Sequence, residues 1–174
     1  LEGTYKSKLA YPARVLDVIA EICAQSGVKA NVDDLARLPH QADLPHPITG
    51  QTYRKALGWI AQLYAGYATF DRHGLFTIRT IAEPNYELDP SQYEQAGLTK
   101  NEAPYKISGI QCQTTITTKT RDGEDTDETK TYQVGDTNGP QIKLENNIMT
   151  PDRLTNIWEQ LKDVTFYPFS LNWF

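Results

Sequence analysis

Three groups of residues have the types and spacing to do chemistry. The first is an acidic run, Asp122, Glu124, Asp125, Asp127 and Glu128, between Arg121 and Lys130. Closely spaced carboxylates can hold Ca²⁺ or divide acid and base roles between them. This run lacks the sixth-position glycine and the closing glutamate of a calcium loop, and Lys119, Arg121 and Lys130 offset part of its charge. It reads as a solvated hairpin tip, with a weak cation site as the second reading. The second group is His40 and His46 with Asp43 between them, among Pro39, Pro45 and Pro47. Imidazole and carboxylate suit a transition metal, but a third ligand at helical spacing is missing, and a proline-stiffened loop packed on a neighbour explains the pattern equally well. The third group is the nucleophiles. Ser7, Ser26, Ser91, Ser108 and Ser170 form no Gly-x-Ser-x-Gly elbow, and neither a His-Glu-x-x-His pair nor a phosphate-cradling glycine loop occurs. Cys23 and Cys112 fall on apolar faces as core thiols, and two cysteines so far apart make no disulfide framework. No catalytic, cofactor-binding or metal-binding residue is assigned, and no cofactor is expected.

The elements around these residues are more legible than the chemistry. Val15, Val18, Ile19, Ile22 and Cys23 recur at helical spacing, with Pro12 expected in the first turn and Gly27 as the stop. Residues 29–51 show no period and read as a long loop, or a short strand plus a loop, of the size that is functional or packs on a partner. The segment TYRKALGWIAQLYAGYATFDRHGLFTI (52–78) reads helix, strand, turn, strand. Thr52 caps it, Tyr53, Leu57, Ile60, Ala61 and Tyr64 make a buried stripe, Gly66 closes the helix, and His73-Gly74 makes a tight hairpin turn. His73 suits that place because histidine tolerates unusual backbone angles better than branched residues do. Trp59, Tyr64, Tyr67 and Trp158 read as core first and as interface or sugar-binding aromatics second.

Residues 83–104, with three prolines, form the best internal boundary. Strands are expected over 105–120, 129–134 and 141–147, and Thr150-Pro151 opens a helix striped by Leu154, Ile157, Trp158 and Leu161. The expected fold class is α+β: a helix–loop–helix–hairpin subdomain over 1–82, a linker, and a β-rich subdomain over 105–174 carrying helix 151–162. Each subdomain packs one or two helices on short antiparallel strands. The chain ends on VTFYPFSLNWF, an aromatic run that needs a neighbouring strand to cover it, so the sequence reads as a piece that continues beyond Phe174.

A net charge of −5 and a pI near 5.2 argue against a nucleic-acid surface. No apolar run approaches the ~20 residues of a membrane span.

The positions Thr52, Arg54, Leu57, Ile60, Ala61, Gly66, Ala68, Asp71, Arg72, Gly74 and Leu75 resemble a segment of phage and prophage tail-tip (baseplate hub) proteins, the group of tail-associated lysins and prophage endopeptidase tail proteins. Residues 11–28 and 132–173 are similar to flanking stretches of that family, in the same order. The resemblance implies a structural protein of the virion tail, made in the bacterial host cytoplasm. It would assemble as a homotrimeric ring between tail tube and distal tip, beside the distal tail and tape-measure proteins. Arg54, Asp71 and Arg72 then stand as interface or scaffold residues. In such proteins peptidoglycan hydrolysis belongs to a further domain, outside this chain. A hub-associated hydrolase is therefore the alternative function, and a carbohydrate-binding module built on exposed aromatics is the other.

Overall fold

Helix α1 (Val15–Ser26) buries Val15, Val18, Ile19, Ile22 and Cys23 on one side, and Gly27 closes it at φ 72°. Pro12 is not in its first turn. It stands ahead of the helix after a cis Tyr11–Pro12 bond, and Arg14 takes the N-cap. The computed structural model describes residues 1–81, 89, 91, 97, 99–100, 103–119 and 125–170. The hairpin tip 120–124, most of the 83–104 boundary and the terminal Trp173 and Phe174 therefore lie outside the described residues.

The stretch 29–51 contains a helix that periodicity does not reveal. Helix α2 (Val32–Ala36) spans five residues and is started by Asn31, whose side chain accepts from the Asp34 N–H at 3.1 Å. Its single buried residue, Leu35, is too little for an apolar stripe. The rest of the stretch turns inward. Leu44 and Ile48 are buried in the chain's own core, and Leu44 exchanges both backbone hydrogen bonds with Ala13. The loop therefore packs on its own molecule through Leu44 and Ile48, while Pro39, Pro45 and Pro47 stay exposed.

Helix α3 (Tyr53–Gln62) begins as expected, the Thr52 hydroxyl accepting from the Lys55 N–H at 3.2 Å. Leu57, Ile60, Ala61 and Tyr64 are buried and Tyr53 is half-buried. Its end differs from expectation. The left-handed residue is Ala65, at φ 52°, while Gly66 opens strand β1 (Gly66–Phe70). Glycine is required there by crowding, because a Cβ on Gly66 would stand 2.4 Å from the Arg79 carbonyl oxygen of β2 (Phe76–Thr80).

The hairpin connection is also longer than a His73-Gly74 pair. Phe70 pairs with Phe76 at the ladder's end, the Asp71 N–H donates to Leu75 O, and the Gly74 N–H donates to Asp71 O. That is a three-residue turn, with Gly74 at φ 74° supplying the left-handed step while His73 keeps an ordinary φ.

The second half is built on a three-stranded sheet in the order β6–β5–β7. Strand β5 (Gly109–Lys119) pairs antiparallel with β6 (Asp125–Gly135) and parallel with β7 (Gln141–Glu145). Ile110, Cys112 and Thr114 alternate inward on β5, as the sequence pattern requires. Helix α4 (Pro151–Leu161) is capped by the Thr150 hydroxyl accepting from the Arg153 N–H, and it buries Leu154, Ile157 and Leu161. Two-residue strands β3 (Thr99–Lys100) and β4 (Tyr105–Lys106) pair with β9 (Phe169–Ser170) and β8 (Thr165–Phe166) respectively. The architecture is α+β. Buried side chains from both halves join one hydrophobic cluster, running from Tyr5 and α1 through α3 to β5 and α4.

Candidate interaction surface

Around the C-terminal strands, several aromatic side chains are exposed among the described residues. Helix α4 hands over at Leu161, whose carbonyl accepts from the Val164 N–H, and β8 then pairs with β4 and β9 with β3. Tyr105 stacks on Phe166 with ring centroids 5.5 Å apart and planes 21° from parallel. Yet Tyr105 remains 41% exposed, Tyr167 66% and Phe169 59%. Two-residue ladders are a weak hold, so the sheet pairing alone does little to fix this surface.

The residues singled out in the hairpin unit have local roles. Arg54 reaches back to Glu2 at 3.1 Å, an exposed pair that ties the N-terminal segment to α3. Asp71 organises the turn. Its Oδ1 accepts from the His73 and Leu75 N–H groups at 2.8 and 3.0 Å, and its Oδ2 accepts from the Asn31 amide at 2.9 Å. The Leu75 bond leads these contacts, which together hold the Asp71 carboxyl below its usual range. Arg72 donates to His73 Nε2 at 3.2 Å.

The other candidates separate. His40, His46 and Asp43 are exposed, and among the described residues no three His, Cys, Asp or Glu side chains converge. Glu128 pairs with Lys130 at 3.4 Å on β6. Cys23 and Cys112 are buried free thiols; burial pushes the Cys23 pKa up to about 11 and raises that of Cys112. Trp59 and Tyr64 are core residues and Trp158 packs against the core half-buried, but Tyr67 is 63% exposed and does not belong with them. Among the described residues no helix is long and apolar enough to cross a membrane.

Two buried polar residues that the sequence pattern did not single out hold the halves together. Asn146 is fully buried. Its amide donates to Trp59 O at 2.9 Å and to Gln62 Oε1 at 2.8 Å, while its Oδ1 accepts from the Ile148 N–H. Arg153, 6% exposed, donates to the carbonyls of Ile148, Ala42 and Asp43 at 2.6, 3.0 and 3.1 Å, so α4 grips the proline-rich loop by its backbone. Desolvation lowers the Arg153 pKa, and nearby Tyr64 works in the opposite direction. Arg153 follows a proline in a capped first turn, an ordinary helix position, so sequence alone carried no signal for it. Comparison with family models, curated proteins and solved structures gave no match to this chain.

Proposed function

We propose that this chain is an assembly module of a bacteriophage or prophage tail-tip hub, without lytic activity of its own. The observation that carries the reading is the exposed aromatic set of Tyr105 on β4, Phe169 on β9 and Tyr167 between β8 and β9, with strands too short to stabilise themselves, a surface suited to burial against another subunit. The resemblance of residues 11–28, 52–78 and 132–173 to hub proteins supplies the identity of the assembly. It also supplies the proposed neighbours: two further copies in a homotrimer, the distal tail protein and the tape-measure protein.

Sedimentation of the polypeptide carrying this segment, alone and with those tail proteins, tests the reading. A discrete trimer or a complex with a tail component is expected, weakened by the double substitution Tyr167→Asp and Phe169→Asp. A stable monomer that ignores both tail proteins would overturn it. Clearing of a bacterial cell-wall zymogram by the 174-residue chain would favour the hydrolase instead.

A further inference from the structure

A cleft of about 570 Å³ lies between α2 and the β1–β2 hairpin, away from the aromatic C-terminal strands. Its wall follows from strand register. Tyr67 stands opposite Arg79 and Thr69 opposite Thr77, so these four side chains share one face of the hairpin. Of these, Thr77 is fully buried and donates to Asp34 Oδ2 at 3.3 Å. The same carboxylate oxygen holds the Arg79 guanidinium at 3.3 Å, and Asn31 is tied to Asp71 at 2.9 Å on the other side. Arg72 and His73 close the turn end.

Three features decide the ligand class. The lining is charge-balanced, Arg72 and Arg79 against Asp34 and Asp71, which gives no preference to a free anion or cation. It offers donors and acceptors side by side: guanidinium N–H groups, the Asn31 amide, the Thr69 hydroxyl and the Asp34 carboxylate. And Tyr67, 63% exposed, sets an aromatic face with a polar tip beside them. A polyol presents hydroxyls that donate and accept together, on a ring whose C–H face packs on an aromatic.

We propose that the cleft between α2 and the β1–β2 hairpin binds a neutral saccharide, with Tyr67 as the stacking platform and Arg79, held by Asp34, as the principal hydroxyl donor. The site is separate from the C-terminal aromatic surface, so it stands or falls independently of the assembly reading.

A glycan array probed with the labelled chain, followed by saturation-transfer NMR on the sugars retained, tests it. Neutral oligosaccharides should bind. Tyr67→Ala should weaken them by on the order of tenfold or more, Tyr67→Phe should retain them, and Leu16→Ala, at an exposed apolar position on α1, should leave them unchanged. Silence across the array would overturn the proposal, as would retention of acidic glycans alone, or neutral binding that survives Tyr67→Ala. So would a Tyr67→Ala variant that loses association with a tail protein and nothing else, because the face would then be a protein contact.

Discussion

Replacing Asn146 by alanine should cost far more than an average substitution, because Asn146 finishes a helix it does not belong to. The last carbonyls of α3 need partners that the helix cannot supply. Those of Ile60, Ala61 and Gln62 accept from the N–H groups of Leu63, Tyr64 and Ala65, and that of Trp59 accepts from the Asn146 amide across 87 residues of sequence. Asn146→Ala strips a partner from Trp59 O and from the Ile148 N–H, while Gln62, only partly buried, can turn to water. A buried polar group left unpaired costs about 1–3 kcal/mol, so the two together cost roughly 2–6 kcal/mol, towards the lower end because the Ile148 N–H is only partly buried. Near 3 kcal/mol, in a chain of this length, Tm falls by about 6–12 °C. Asn146→Asp should be worse at neutral pH, since it aims a desolvated negative charge at Trp59 O and Gln62 Oε1; it should recover as pH falls, when the protonated acid can donate. Urea and thermal unfolding followed by tryptophan fluorescence and by far-UV dichroism provide the assay. Wild type should unfold in one coincident transition, and both variants in one earlier transition. A cost below about 1 kcal/mol, or an Asn146→Asp variant as stable at pH 7 as at pH 4, would refute the capping role. Two separate transitions in wild type would refute the coupling of the halves.

Four further outcomes are expected. Gly66→Ala should destabilise by about 2 kcal/mol or more because its new Cβ meets the Arg79 carbonyl oxygen, whereas Gly58→Ala, mid-helix with nothing within 4 Å, should stabilise by about 0.5–1 kcal/mol; chemical denaturation of the pair separates crowding from propensity. Glu21 titrates low: burial opposes its charge, but hydrogen bonds from Tyr5, the Lys8 N–H and Ser7 outweigh it, so its stabilisation is present above the unfolded value of about 4.3 and lost as pH falls through the lower folded value. Glu21→Gln should therefore be less stable than wild type at pH 7, with the gap narrowing towards pH 3 in pH-stepped melts. Both thiols should resist a disulfide-exchange reagent in the native protein at pH 8 and react fully in denaturant, since burial keeps them protonated and covered. Arg153→Met should cost less than Arg153→Ala in thermal melts, because methionine keeps the packing and removes a desolvated charge, while the Ala42 and Asp43 carbonyls sit on exposed residues that water can reach.

The elements that the sequence revealed are those whose signals are local. Thr52 and Thr150 cap their helices because a hydroxyl beside a helix start bonds the third N–H whatever lies beyond it, and the stripes of α1, α3 and α4 bury themselves for the same short-range reason. Local rules also erred where two explanations shared one residue type. Gly66 follows a helix, which suggests a left-handed stop; Ala65 takes that conformation, and Gly66 is there for the approach of Arg79 from β2. Tyr67 sits among apolar strand residues, yet the pleat that buries Phe76 and Ile78 turns Tyr67 outward.

What stayed illegible is the placement of the proline-rich loop and the parallel strand, and the side-chain bonds that help fix each end on main-chain carbonyls. A carbonyl has no sequence identity, so neither Ala42, Asp43 nor Trp59 announces that a distant side chain needs it. Arg153 and Asn146 are the readable ends of those contacts, but an arginine in a first helical turn and an asparagine after a strand have commonplace surface uses. Only burial distinguishes them, and burial exists once β7, parallel to β5, carries Asn146 under α3 and α4 comes to lie beneath the loop. Through these two residues the loop and both halves share one core, and the exposed C-terminal aromatics and the α2–hairpin cleft lie outside it.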